Sequence, residues 1–153
     1  MKKVNLLFGT VYGSAQSVAE VLHRSLEQLG YEARLWQMHE LDGFVPPTDE
    51  LLLLICATTG QGDIPDELQP WFTQMQSQAP WLPELNYAIV ALGDSSYDTF
   101  CGAGLQLESL LNELGCRALL PMLKIDAMET MTPDLLALQW LKSWHEQAEI
   151  LPV

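Results

Sequence analysis

Three short runs of the chain hold the residue types that could handle a ligand. The first, Gly9-Thr10-Val11-Tyr12-Gly13-Ser14-Ala15, combines glycines with hydroxyls and contains no lysine or arginine. A phosphate placed there would be held by backbone amides at a helix start, by the helix dipole, and by the hydroxyls of Thr10 and Ser14. A capping role for Ser14 would account for the same run without a ligand. The second, Ala57-Thr58-Thr59-Gly60-Gln61-Gly62-Asp63, offers two glycines. They would let backbone approach a flat molecule closely, or serve as turn residues ahead of a helix capped by Asp63. The third, Leu92-Gly93-Asp94-Ser95-Ser96-Tyr97-Asp98-Thr99-Phe100-Cys101, sets an aromatic among small polar residues. Tyr97 could stack on a planar ring with its hydroxyl in water, a contact worth about 0.5–1.5 kcal/mol beyond burial. Phe100 is expected to anchor the loop in the core.

Other chemistries find little support. His23, His39 and His145 are far apart in sequence, which argues against a metal cluster or a nucleophile-base pair. Cys56, Cys101 and Cys116 are odd in number and widely spaced, as reduced thiols would be, and Cys56 and Cys116 read as small buried hydrophobes. Seven basic residues against twenty acidic ones give a formal charge of −13, which repels nucleic acid and anionic membranes and attracts basic protein surfaces. Solubility alone would account for the same charge. The longest apolar run, Leu51 to Ala57, is too short to cross a bilayer, and Met1-Lys2-Lys3 leads into a strand and not a signal peptide. A cytoplasmic protein is expected.

These loops need a frame, and the hydrophobic pattern supplies one. Apolar, β-rich runs at Val4 to Phe8, Ala33 to Trp36, Leu51 to Ala57, Tyr87 to Leu92 and Ala118 to Ile125 read as five strands. Leu51 to Ala57 is apolar throughout, as a strand covered on both faces should be. Ala15, Ala19, Leu22, Leu26 and Leu29 repeat at helical spacing between Ser14 and Gly30. A second helix is expected over Asp66 to Gln78 with Pro70 in or near its opening turn. A third carries Leu107, Leu110, Leu111 and Leu114 up to Gly115, and a fourth opens at Thr132-Pro133-Asp134 and carries Leu138, Leu141 and Trp144. Residues 37–50, with Gly43, Pro46 and Pro47, read as a loop with at most a short helix. Such alternation implies one α/β domain over residues 1–153, a doubly wound parallel sheet with helices on both faces, in the order 2-1-3-4-5. The direction of winding then switches between the first and third strands, so a ligand belongs outside their carboxyl ends, where the three runs converge.

The Gly9 to Ala15 run and the Gly93-Asp94-Ser95-Ser96-Tyr97 to Phe100-Cys101 stretch resemble flavodoxins and the FMN domains of diflavin reductases, over nearly the whole chain. The Thr58-Thr59-Gly60-Gln61-Gly62-Asp63 loop is similar to that of the short bacterial YqcA and MioC type. The resemblance implies a flavodoxin-like three-layer fold, one noncovalent FMN, and electron transfer between a reductase and acceptor proteins with no catalytic side chain. It implies that Thr10, Gly13 and Ser14 bind the phosphate, with the amides of Val11, Tyr12 and Ala15 completing the cradle. It makes Tyr97 the ring stacked on the outer flavin face, and the Gly60 carbonyl the acceptor for the N5 proton after one-electron reduction. Gly93, Asp94 and Ser95 would give main-chain contacts to the pyrimidine edge, and Thr58, Thr59, Gln61, Gly62, Phe100 and Cys101 complete the expected cofactor-binding set. Tyr12 stands where most members have threonine, and Thr59 where many carry a tryptophan or tyrosine over the inner flavin face; both departures bear on FMN affinity. Trp36, Trp71 and Trp81 are expected to be packing residues.

A unit charge about 10 Å from the flavin at an effective dielectric near 20 costs about 1.7 kcal/mol, or roughly 70 mV for a one-electron step. Asp63, Asp94 and Asp98 would therefore lower the potential, and would steer basic-surfaced redox partners to a monomeric carrier. Two alternatives stand beside the carrier. One is an FMN-dependent NAD(P)H:quinone-type oxidoreductase, which needs a pocket over an open flavin face. The other is a regulatory protein that keeps the fold without flavin. A receiver domain fails because Gly9-Thr10 and Ala57-Thr58 stand where its acids belong, and a tyrosine phosphatase fails because no cysteine and arginine frame the first loop.

Overall fold

Along each central strand, apolar side chains alternate between two faces, and that alternation decides which helices cover which side. In the computed structural model, which describes residues 2–59 and 61–152, Lys3–Gly9 forms β1, Glu32–Leu35 β2, Leu51–Ala57 β3 and Asn86–Gly93 β4. All pair in parallel, in the order β2-β1-β3-β4. Leu52, Leu54 and Cys56 of β3 join Tyr87, Ile89 and Ala91 of β4 in one core cluster, while Leu51, Leu53, Ile55 and Ala57 join Ala88, Val90 and Leu92 in the other. Every β3 residue is buried, as its unbroken apolar sequence requires.

Four helices close the two faces. Helix α1 (Ser14–Gln28) and helix α4 (Pro133–Ile150) cover the second cluster through Ala15, Val18, Ala19, Leu22 and Leu26 on one and Ala137, Leu141 and Trp144 on the other. Helix α2 (Gln69–Gln78) and helix α3 (Gly102–Glu113) cover the first through Trp71, Phe72 and Met75, and through Leu107, Leu110 and Leu111. The second helix starts at Gln69 and not Asp66, because residues 66–68 turn before it and Pro70 sits in its first turn, where a missing amide costs nothing. Residues 37–50 are irregular apart from one 3-10 turn at Met38–Glu40, as expected. Trp71 holds this connection by donating its indole N–H to the Phe44 carbonyl at 3.0 Å, and the Trp36 and Phe44 rings lie 4.1 Å apart. No helix among the described residues is long and apolar enough to cross a membrane.

The fifth strand position departs from the expected continuous run. It holds two pieces, β5 (Arg117–Ala118) and β6 (Leu123–Asp126), both parallel to β4. Ala118 pairs with Tyr87 and Leu123 with Val90, so five steps along this edge face only three along β4. The surplus residues must leave the ladder, and Pro121 among them has no amide to offer it. The edge resumes in register and carries Asp126 to the level of Gly93, beside the third loop.

Helix α3 comes close to the sheet because Gly104 has no side chain: a Cβ there would lie 2.6 Å from the Ala91 Cβ. Gly104→Ala should therefore lower stability by about 1–3 kcal/mol in urea unfolding, the usual cost of overpacking. A variant as stable as the parent would contradict this packing.

Candidate functional site

The crossover from β1 leads to one side of the sheet and that from β3 to the other, so the loops after these strands part and leave a space between them. In the first loop Tyr12 (φ 60°) and Gly13 (φ 84°) take consecutive left-handed conformations, a backbone arrangement that turns successive amides toward one side. Gly13, not Ser14, is the N-cap of α1, and no side chain caps this helix. The capping explanation of Ser14 is thus overturned, since Ser14 is already the first helical residue. Ala15 is fully buried on the core, so only its backbone can serve a ligand. The Thr10 Oγ1 is buried without a hydrogen-bond partner among the described residues, while its amide donates to Glu67 Oε1 at 2.8 Å.

The second and third loops support each other. Thr59 and Asp63 exchange backbone hydrogen bonds of 2.9 and 2.8 Å, closing a tight turn. Asp63 caps no helix, because α2 begins six residues later. Gly62 (φ 91°) is buried against Thr99 and against Gly102, where an added Cβ on Gly102 would come within 2.8 Å of Gly62 Cα. The Gly62 carbonyl also accepts from Gln106 Nε2. Gly62 therefore joins the two loops. Gly60 lies outside the described residues, and with it the expected carbonyl at the flavin N5. Gly93 is required for the third loop to fold back, since a Cβ there would lie 2.9 Å from the Cys101 amide nitrogen and 3.0 Å from Phe100 Cδ1. Phe100 packs on the core as expected. Cys101 begins α3 in a left-handed conformation (φ 56°), and burial pushes its thiol up to about 11, so it stays protonated at neutral pH.

Asp126 was not singled out from sequence, although its place at the end of the last strand puts an acid at the carboxyl end of the sheet. Its buried Oδ1 accepts the amides of Ser95 at 3.0 Å and Met128 at 2.9 Å, tying the third loop to the turn before α4. Hydrogen bonding from Ser95, chiefly through its side chain, and from the Met128 amide holds this carboxyl below the usual carboxylate range, against the burial that would raise it.

Together the loops form an open cleft of about 420 Å³ lined, among the described residues, by Val11, Tyr12, Thr58, Thr59, Gly93, Asp94, Tyr97, Phe100 and Cys101, and by Thr99 of the third run, which was not among the expected cofactor-binding residues. Thr10, Gly13, Ser14 and Ala15 sit beside it around the amide turn, whereas Gln61, Gly62 and Ser95 do not line it. Trp36 and Trp71 pack elsewhere and Trp81 lies against Gly115, so none of them covers the cleft. No group of three metal-ligating side chains occurs among the described residues. A larger depression of about 650 Å³ lies among Lys2, Lys3, Asp49, Glu50 and Glu84, at the opposite end of the strands from the converging helix starts.

A phosphate carrying a planar ring fits the smaller cleft. The buried, unpaired Thr10 hydroxyl and the turned amides suit the anion, and an exposed tyrosine and backbone-lined walls suit the ring. The comparisons with known proteins agree with that fit. A family model described as Flavodoxin matches residues 6–140. Flavodoxin YqcA of Escherichia coli is 36% identical over 144 residues, covering 94% of this chain and 97% of that protein. The C101S mutant of flavodoxin from Pseudomonas aeruginosa superposes with a TM-score of 0.85 at 42% identity, over 95% of this chain and 97% of the other. Oxidised flavodoxin 1 from Bacillus cereus, at 20% identity over 99% and 100% of the two chains, shares the fold with a TM-score of 0.79. The chain belongs to the flavodoxin family, close to its YqcA/MioC-type members. It is an FMN-binding electron carrier.

Two substitutions check this geometry. Nothing lies within 4 Å of a Cβ placed on Gly13, so Gly13→Ala should cost about 1–2 kcal/mol in urea unfolding through its left-handed backbone alone. Asp126 stabilises the folded state fully above the ordinary aspartate value of 3.8 and loses that contribution as pH falls below it through the lowered folded value. The stability gap between the parent and Asp126→Asn should be present at pH 7 and shrink on acidification below 3.8; a gap constant with pH would refute it.

Proposed function

We propose that the whole chain, residues 1–153, acts as one unit that holds FMN in the cleft between β1, β3 and β4. The phosphate would rest on the amides of Val11 to Ala15 and on the hydroxyls of Thr10 and Ser14. Tyr97 would cover the outer ring face. Thr58 and Thr59 would flank the inner face, while Gly93 and Asp94 meet the pyrimidine edge with Phe100 and Cys101 behind them. The single observation that carries this reading is the buried, unpartnered Thr10 hydroxyl beside a left-handed turn of amides. When bound, FMN supplies one-electron chemistry; the chain orients it, shields one face and sets the surrounding charge.

The same end of the molecule suits a basic protein partner. Its loops carry Asp63, Asp66, Glu67, Asp94, Asp98 and Glu129, whereas no lysine or arginine falls in residues 9–14, 57–68, 93–102 or 126–133. Tyr12, Tyr97, Met128 and Met131 are exposed apolar residues among these acids, and such a mixture fits a docking face for basic redox proteins, a reductase on one occasion and an acceptor on another. In this reading the protein is a cytoplasmic monomer that binds neither nucleic acid nor membrane. The thin cover that Thr59 gives the inner face favours, as second reading, an NAD(P)H-linked flavin reductase.

One experiment separates the readings. Purified protein, soaked in FMN and desalted, should be yellow with one flavin per chain, and stepwise photoreduction should resolve two one-electron steps. NADPH alone should leave it unbleached, and fast bleaching would favour the reductase. Electron transfer from the reduced protein to cytochrome c, used as a basic probe, should slow several-fold as salt rises from low to physiological strength. Material that stays colourless after soaking would overturn the proposal.

A further inference from the structure

Glu67 stands outside the three runs that the sequence points to, in the turn between the second loop and α2. That turn is fixed before the helix begins. Pro65 and Leu68 are buried, and the Pro65 carbonyl accepts the amides of Leu68 at 2.9 Å and Gln69 at 3.0 Å. It also presses on the end of β1, where a Cβ on Gly9 would lie 3.1 Å from Leu68 Cβ and 3.3 Å from Pro65 Cγ. From this anchored position Glu67 Oε1 accepts the Thr10 amide at 2.8 Å. The Thr10 amide is therefore spent on the protein, and its buried, unpaired hydroxyl is the group left for a phosphate.

We propose that Glu67 is a positioning residue for the phosphate loop: by holding the Thr10 peptide, its carboxylate aims the Thr10 hydroxyl at the FMN phosphate. This rests on the FMN site described above. A carboxylate is by charge a poor neighbour for a dianion, so its presence beside the loop is explained by geometry and not by electrostatics. It satisfies an amide that the end of β1 would otherwise leave unpaired, and it links the first loop to the turn before α2 through one bond. The repulsion and the positioning oppose each other, and two substitutions separate them. Glu67→Gln removes the charge and keeps an acceptor oxygen; Glu67→Ala removes both. The ratio of their dissociation constants thus reads the hydrogen bond with the charge already gone.

The test is a fluorescence-quenching titration of the parent, Glu67→Gln and Glu67→Ala with FMN and with riboflavin, which has the same ring and no phosphate. Thermal unfolding of each flavin-free protein verifies that it is folded. For FMN the Ala variant should bind about tenfold more weakly than the Gln variant, the equivalent of one hydrogen bond. For riboflavin the two should agree within about twofold. In a Thr10→Val background the FMN ratio should fall to about one, since the hydroxyl being positioned is gone. An FMN ratio of one, an equal ratio for both flavins, or a ratio that persists without the Thr10 hydroxyl would each overturn the role of Glu67. A parent protein that takes up neither flavin would instead sink the FMN reading itself.

Discussion

An anion at the carboxyl end of this sheet has no positive side chain in the surrounding loops to meet it. Its charge must be balanced by amides, hydroxyls and the start of α1, and this constraint shapes the loops around the cleft. Ahead of α1 the backbone turns left-handed at Tyr12 and Gly13 in succession, which adds the loop's amides to those of the helix start. For a residue other than glycine that conformation costs about 1–2 kcal/mol. Tyr12 is also fully exposed, so no packing of its own offsets the cost. Strain of this kind is retained where the geometry has a use.

The amide turn is held in place by contacts within the protein. Ala15 plugs α1 into the core, and the Pro65–Leu68 turn presses on Gly9. The glycine contact between Gly62 and Gly102 brings the second and third loops to a fixed separation, and Asp126 ties the third loop to the turn before α4. Each of these is a short-range contact between segments distant in sequence. The cleft can remain open and polar because the strands beneath it are buried on both faces and rigid.

Charge is distributed with the same economy. Acids crowd the loop end of the molecule, while the lysines and arginines sit on strands, on helices or near the opposite end. A negative rim opposes the addition of electrons to a bound flavin, and in the proposed reading the same charge would attract basic proteins. Two exposed methionines, Met128 and Met131, lie within that rim.

Much of the architecture was legible in the sequence, because the alternation of apolar residues is local. Leu51 to Ala57 had to be a central strand, and Ala15, Leu22 and Leu26 had to face a core. From five strands and short connections the order 2-1-3-4-5 followed, and with it the end of the sheet where the site lies. What the sequence could not convey depended on registers and contacts between remote segments. The two surplus residues that split the last strand are visible only against the length of β4. Ser14 proved helical because Gly13 took the turn, and Asp63 closed its own loop because α2 began later. Glu67 and Asp126 look like ordinary surface acids in one dimension. They acquire meaning when folding brings one to the Thr10 amide and the other to Ser95, since an amide's partner is chosen by proximity in space and leaves no trace in the spacing of residues.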